Sequence, residues 1–463
     1  LLCNPVRILD AGMQLSYMAI AGVSLGNYGM KRLHKKTGFR RFQKRYPLRF
    51  RVVQSLFYSV TLQGMMLPVV AKTYYEIPVY AGLLNLIVVP GMTVVVAGSW
   101  FGLLVSIGTI SLGRFAMLPV GWMLQGYTWL CERTLELPWN TLVTGEIRGW
   151  QIGMWYGGIA CTLVLLRTKT RNKLRDFVYK HTGRFWRKRE VVRYTVCTIL
   201  ISMLLQGAGQ ALCVWQQRTE AICFLDVGQG DGILIRSPDG RNIVIDGGST
   251  SQSKCGTYTL LPALRSQGMT EIDCWFVTHT DEDHISGLKE LLLQGKLTQI
   301  KVRTVVFSAY VFQDAALAEL EAVIRAAGIT IVWMREGDVI GDDTFTLTCL
   351  HPTAEYRAKD KNAASLALAY HSDTFDMLFT GDMDADAVAD MDIQQDYDCI
   401  KLPHHGSKYS YVEGVYAHAD YGLISCGYNN RYGHPHTEVL QGLAQEGTKV
   451  LRTDEMGAVV FRG

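Results

Sequence analysis

Residues 1–217 are dominated by long apolar runs, whereas from Arg218 onward short strand-like and helix-like segments alternate among many Asp and Glu. That change predicts two domains, 1–217 and 218–463. A membrane-crossing helix needs about 20 predominantly apolar residues. Residues 194–217 carry no formal charge, and 77–113 are uncharged over a stretch longer than one crossing needs. Residues 52–71, 115–131 and 150–166 are further candidates, and 8–29 is a weaker one because it holds Asp10 and Gln14. One such run could be a buried core helix. Several in series predict a multi-span α-helical membrane domain.

The second half reads differently. Residues 221–227, 232–236 and 242–245 are predicted strands, the last two joined by the turn sequence Ser237-Pro-Asp-Gly-Arg241, where Pro fixes φ and Gly permits positive φ. Residues 274–278, 304–308 and 329–333 are predicted strands, and 285–295 and 315–327 predicted helices. Interleaving of this kind predicts a layered α/β domain.

The net charge of +4 says little, but its distribution says more. Residues 31–51 hold ten Lys or Arg and no acid, and 167–193 hold eleven against Asp176 and Glu190. The positive-inside rule would place both segments in the cytoplasm. A nucleic-acid patch is the competing reading. Position between apolar runs favours the first, and both can hold together. With both segments inside, an even number of crossings separates them; four suffice if 77–113 crosses once with its surplus bent or re-entrant. Residues 194–217 then lead outward, which predicts a C-terminal domain outside the cell. The chain opens at Leu1 without an initiator Met or a signal-peptide pattern, so a fragment of a longer chain is expected. Asp10, Gln14, Gln63 and Asn85 lie within apolar stretches, where polar groups are costly unless they face protein or water. A water-filled pathway is at least as good a reading of them as packing. The eleven cysteines lack CxxC spacing. Cys223, Cys274, Cys349, Cys399 and Cys426 sit in apolar contexts as expected buried thiols, Cys255 lies in a polar loop, and disulfides stay open.

The strongest chemical signal is His279-x-Asp281-x-Asp283-His284, four potential ligands in six residues on a strand-to-helix loop. Short spacing lets one loop aim imidazoles and carboxylates at a common point, and two metal ions about 3.5–4 Å apart can share such a set. A solvated loop rich in Asp and His is the plainer reading. Two further strand ends strengthen the case for metal: Leu378-Phe-Thr-Gly-Asp382, and Ile400-Lys-Leu-Pro-His404-His405-Gly-Ser407.

Three ligand-bearing strand ends in this order resemble the metallo-β-lactamase fold. Phe224-Leu-Asp-Val-Gly-Gln-Gly-Asp231, Asn362-Ala-Ala-Ser365, the Pro-His-His-Gly-Ser segment, the stretch from Ile424 through Asn429 to His434-Pro435, and Leu451 to Gly457 resemble the hydrolase domain of the ComEC family. Asn4-Pro5 through Ser16, and Leu83 to Pro90, resemble that family's competence domain. The fold class this implies is a multi-span α-helical membrane domain followed by an αββα sandwich of metallo-β-lactamase type. The family pattern departs from HxHxDH in having Asp281 for the second His, which shifts preference toward harder ions. Mn²⁺ or Zn²⁺, one or two ions, is expected. No separate His stands between the first motif and the bridging carboxylate; Asn362 or Ser365 lies near that place, and His351 is the nearest histidine upstream.

The resemblance implies a channel for single-stranded DNA whose attached domain hydrolyses phosphodiesters and degrades the strand that does not enter. His279, Asp281 and His405 would hold one metal, Asp283 and His284 the other, with Asp382 bridging. Catalysis would rest on Asp283 and His284, Asp283 orienting a water or taking its proton. Asn362, Ser365, His404, Ser407, Asn429 and His434 are candidate substrate contacts, with a structural role for His434 equally open. Implied partners are DNA, the membrane, other uptake proteins such as a DNA receptor, and a second copy of the chain. The rivals are a membrane-anchored hydrolase of some other ester, since fold does not fix substrate, a non-catalytic scaffold, and a chain that is inert because its missing N-terminal part completes the pore.

Overall fold

A computed structural model describes residues 4–35, 37–166, 219–391, 393 and 395–463 of the chain. The chain divides into two compact units, one within residues 1–213 and one within 214–463. The boundary expected at 217/218, the apolar run 194–217 and the second basic segment, 167–193, lie outside the described residues.

The first unit is helical: α1 (Ala11–His34), α2 (Thr37–Arg45), α3 (Pro47–Tyr74), α4 (Ala81–Ser106), α5 (Ile110–Leu135) and α6 (Gly149–Leu166). Among the described residues, α3 and α4 are the helices long and apolar enough to cross a membrane. The uncharged stretch 77–113 resolves into one helix, α4, with its surplus divided between the preceding strand and the start of α5. Strand β1 (Glu76–Pro78) pairs antiparallel with β2 (Thr141–Val143), which ties the α3–α4 connection to the α5–α6 connection on one side of the unit. Helices α1 and α3 meet through small residues. A Cβ at Gly22 would stand 2.7 Å from Leu62 Cα, so only glycine allows the two backbones this approach, and Gly26 lies one turn further along the same face.

Two of the polar residues read as a water pathway have a local role instead. Asp10 is the N-cap of α1, its Oδ1 accepting from Gly12 N at 2.7 Å, and Gln14 Nε2 donates to Ile8 O at 2.9 Å. They satisfy amides and carbonyls that a helix start leaves open.

The second unit is built from two seven-stranded sheets. One runs in the order β16-β3-β4-β5-β6-β7-β8 and the other β15-β14-β13-β12-β11-β10-β9. The first comprises β3 (Ala221–Phe224), β4 (Gly232–Arg236), β5 (Asn242–Asp246), β6 (Glu271–Val277), β7 (Lys301–Ser308), β8 (Thr330–Met334) and β16 (Val459–Arg462). The second comprises β9 (Val339–Gly341), β10 (Phe345–His351), β11 (Ala367–Ser372), β12 (Asp376–Phe379), β13 (Tyr397–Lys401), β14 (Ala419–Ile424) and β15 (Lys449–Arg452). In each sheet an antiparallel run turns parallel near the middle, at β5–β6 in one and β12–β13 in the other. Ile222, Phe224, Ile243, Ile245 and Phe276 meet Leu347, Leu368, Tyr370, Met377 and Phe379 in the core between the sheets. Alternate residues such as Val244, Trp275 and Val305 face α7 (Glu282–Gln294) and α8 (Ala315–Ala326) through Leu288, Leu291, Leu320 and Ile324. On the other side Leu378, Ile400 and Leu402 pack under α9 (Thr437–Glu446). Both faces of the central strands are therefore covered, which is why they read as apolar runs without alternation.

The predicted strands and helices of this half fall on observed ones with ends shifted by a few residues. The helix expected at 285–295 begins at Glu282, because the sequence periodicity starts only once the ligand-bearing first turn has passed. Cys255, expected in a polar loop, is buried against the α7 side, and every cysteine among the described residues is a free thiol. Burial pushes the Cys223 thiol up to about 11 and the Cys349 thiol up to about 12.

Candidate metal centre

Parallel strands present their carboxyl ends together, and here five of them converge. Strand β5 ends on Asp246, β6 runs into Thr278-His279-Thr-Asp281, β12 into Thr380-Gly-Asp382, β13 into Leu402-Pro-His404-His405, and β14 into Ser425. Asp283 and His284 occupy the first turn of α7. The β3–β4 loop adds Asp231. Its Gly230 adopts φ +148°, and a Cβ there would stand 2.3 Å from Gly248 O and 2.5 Å from Asp283 O. Glycine thus lets the loop press against the start of α7, where Asp231 N donates to Asp283 O at 3.0 Å.

One ligand atom from each of Asp283, His284, Asp382 and His405 lies within 4.8 Å of the others. Asp382 Oδ2 is 3.2 Å from His284 Nε2 and 3.3 Å from His405 Nε2, and Asp283 Oδ2 is 3.4 Å from His405 Nε2. Neither Nε2 makes a hydrogen bond, nor does Asp382 Oδ1, and all are buried. The far side of each ring is fixed. His284 Nδ1 lies 2.8 Å from Asp246 Oδ2, and His405 Nδ1 lies 2.8 Å from Ser425 O. Both partners only accept, so each Nδ1 carries a proton and each Nε2 is the inward nitrogen, the position open to a cation or a second proton.

Electrostatics point the same way. Burial opposes charge on His405, but Asp382, Asp283 and Asp231 outweigh it and push its pKa up to about 10. His284 is raised as well, against its own burial, by Asp382 and Asp246. Asp382, despite burial, is held well below the usual carboxylate range by His405 and His284. Carboxylates that draw protons onto two buried imidazoles hold excess negative charge, and a cation at the same point would replace those protons. Two imidazoles and two carboxylates form a mixed nitrogen–oxygen donor set suited to a divalent transition ion. The cluster fits a divalent metal.

His405 Nε2 lies with Asp283, His284 and Asp382, its ring anchored through Nδ1 by the Ser425 carbonyl, whereas the resemblance implied a site shared with His279 and Asp281. His279 packs its ring 4.0 Å from that of His284 and keeps Nε2 buried without a hydrogen bond. Asp281 is 3.7 Å from that nitrogen but forms a close ion pair with Lys361. Despite its burial, His279 and Lys361 bring its pKa down to about 2. His351 is remote in role, with Nε2 3.0 Å from Ala363 O.

The candidate substrate contacts separate. Ser365 is buried and supports the cluster: its hydroxyl accepts from Asp382 N at 3.2 Å and lies 3.4 Å from His279 Nδ1. Ser407 Oγ accepts from Tyr409 N at 3.3 Å inside its own loop. Asn362 is half-buried with an unpartnered side-chain carbonyl. His404 and His434 stand side by side, ring centres 5.7 Å apart, and burial lowers the pKa of both. Asn429 is exposed, and its neighbour Asn430 organises the loop by donating to Gly427 O and His434 O and accepting from His434 N.

Sequence reading missed Asp231, Asp246 and Lys401. Lys401 is buried, with Nζ paired closely to Asp231, 2.9 Å from Gly381 O and 3.7 Å from Asp382 Oδ1. Burial disfavours its charge, but Asp231 and Asp382 outweigh it and raise its pKa. A lysine inside the apolar run of β13 was the available signal, since an unpaired ammonium there would be prohibitive. For Asp246 it was the Asp-Gly-Gly strand end.

Comparison with known proteins agrees with this architecture. Residues 1–169 match the family described as competence protein, and residues 225–354 match the metallo-beta-lactamase superfamily. The chain is 27% identical to ComE operon protein 3 of Bacillus subtilis over all of its own length and 56% of that protein. It is 26% identical to competence protein ComA of Neisseria gonorrhoeae over 58% of the chain and 38% of that protein. The chain therefore spans about half, or less, of the curated relatives it matches. The metallo-beta-lactamase fold protein YhfI of Bacillus subtilis covers 53% of the chain and all of its own length at 14% identity, with a TM-score of 0.36. A competence-protein match followed by a metallo-beta-lactamase match, with relatives of these names, is consistent with the ComEC family.

Proposed function

We propose that the C-terminal domain is a divalent-metal phosphodiesterase that acts on DNA, within a multi-pass membrane protein that takes up single-stranded DNA. The observation that carries this reading is the convergence of four donor atoms from Asp283, His284, Asp382 and His405, with both Nε2 atoms turned toward Asp382 and both Nδ1 atoms anchored. A bound ion would supply Lewis acidity and lower the pKa of water. Asp283 is partly exposed beside the buried donors and is suited to orient that water and accept its proton. His404 and His434, kept neutral by burial, can donate to a phosphate oxygen. Asp246, Ser365 and Lys401 hold the ligands in place.

The DNA substrate is inferred from the competence proteins to which the chain is similar. The domain boundary is proposed near residue 217 and the C-terminal domain is proposed to face outward, so that strand cleavage and uptake meet on one side. A DNA receptor, other uptake proteins and a second copy of the chain are the proposed partners. Mn²⁺ and Zn²⁺ are the proposed ions.

The test uses the full chain in detergent with Mn²⁺, Mg²⁺ or Zn²⁺, assaying nicking and degradation of DNA beside Asp283→Ala. Metal-dependent cleavage that disappears in the variant is expected. A folded, metal-loaded protein that cleaves DNA with none of the three ions would overturn the nuclease reading in favour of a scaffold or another ester.

A further inference from the structure

Rings continue outward from the metal ligands to the surface. His405 lies 6.2 Å from His434, centre to centre, and His434 stacks on Tyr432 at 5.7 Å with planes 21° apart. His434 is also 5.0 Å from His436, which is 6.3 Å from Tyr409. Two tyrosines thus flank a histidine pair that stands directly beside the ligand loop. Both are open to solvent, Tyr432 at 44% and Tyr409 at 73%. Each carries a cation over its ring: Arg431 at 4.8 Å from Tyr432 and Lys408 at 5.5 Å from Tyr409.

Neither ring is buried in a core, and the Tyr432 hydroxyl accepts from Arg431 Nη2 at 2.6 Å. Tyr409 meets His436 edge-on, at 76°, so the rings are differently inclined, but exposed rings beside cations are the chemistry of single-stranded nucleic-acid binding: bases stack on the rings and the cations follow the phosphates. The neighbouring carboxylate, Glu438, is 3.5 Å from Lys408 Nζ, an exposed pair that a phosphate would readily replace. A base pair within a duplex has no free face to offer except at an end.

We infer that Tyr409 and Tyr432 form a stacking platform for unpaired nucleobases, which selects single-stranded nucleic acid and leads its backbone toward the ligands on the His404-His405 loop. The platform rests on the phosphodiesterase reading and deepens it by naming the form of the substrate. Duplex would be cleaved only where its ends or nicks fray.

Binding separates the platform from simple charge. Fluorescence anisotropy of the full chain in detergent compares a phosphorothioate single strand, an abasic strand of equal length and charge, and a blunt duplex. The base-bearing strand is expected to bind at least about fivefold more tightly than the abasic strand, because stacking is worth that much per base. Y409A/Y432A should abolish this preference, and Y409F/Y432F should keep it, since both side chains are exposed and the ring is what matters. Equal affinity for base-bearing and abasic strands, or a preference that survives Y409A/Y432A, would overturn the platform. Hydrolysis of bis(p-nitrophenyl) phosphate by the wild-type chain is measured beside it. A base preference without such hydrolysis would sink the phosphodiesterase reading and leave the platform standing, while hydrolysis without base preference would do the reverse.

Discussion

Substituting Asp246→Asn removes one charge and keeps the shape of the side chain, and Asn tolerates the φ of +57° found at this position. Its effect follows from which hydrogen bonds survive. Asp246 Oδ1 accepts from Thr278 N at 2.8 Å; Oδ2 accepts from Thr278 Oγ1 at 2.7 Å and faces His284 Nδ1 at 2.8 Å. A carboxamide must keep its oxygen on the Thr278 amide, since the opposite orientation sets two donors against each other. Its NH₂ then donates to Thr278 Oγ1 and confronts His284 Nδ1, which has to become the acceptor. The imidazole proton moves to Nε2, the nitrogen that faces Asp382 and the ion. Loss of such an outer partner costs about 10–100-fold in metal affinity, or roughly 1.4–2.7 kcal/mol. Calorimetric titration of Mn²⁺ or Zn²⁺ into chelator-treated chain reads this directly. The metal-free Tm should fall as well, because buried His284 loses the carboxylate that pairs with it, so the titration is run below both unfolding transitions. Affinity within about twofold of wild type would refute the view that Asp246 sets the tautomer of His284.

Lys401→Met should destabilise the fold by roughly 3–5 kcal/mol by leaving Asp231 buried without its cation. Adding Asp231→Asn should recover part of that loss in thermal unfolding, and a double variant no more stable than the single one would argue against the pair. Gly230→Ala is expected to cost more than about 2 kcal/mol and to weaken metal binding, because its Cβ would displace the backbone of Asp283; unchanged metal affinity would separate the loop from the site. His351 is held neutral by burial, its pKa below the usual value despite the Ala363 carbonyl. Its folded pKa is depressed, so stability is intact above about pH 6.5, the unfolded value, and is lost as pH falls toward the folded value. Wild type should therefore lose more Tm than His351→Gln between pH 7 and pH 5, and parallel curves would count against that. Saturating metal, at about 100 times its Kd, should stabilise the domain by about 2.7 kcal/mol, and chelation should remove the gain; a Tm indifferent to metal would contradict the donor cluster.

The sequence by itself determined the division into an apolar half and an α/β half, most strands of the latter, and the strand ends that carry His279, Asp283, His284, Asp382 and His405. Those are local properties: apolar runs of a given length, turn residues, and ligands packed into one short loop. The tertiary structure alone decided which ligands face one another. His405 stands with Asp283 and His284 because Ser425, from the next strand, holds its Nδ1. Asp281 pairs with Lys361, eighty residues on, while also facing His279, and Asp246 and Lys401 enter the site from strands whose sequence reads as core. Ring orientation and charge pairing depend on partners distant in the chain and adjacent only once two sheets are closed face to face. No pattern along one strand encodes that adjacency.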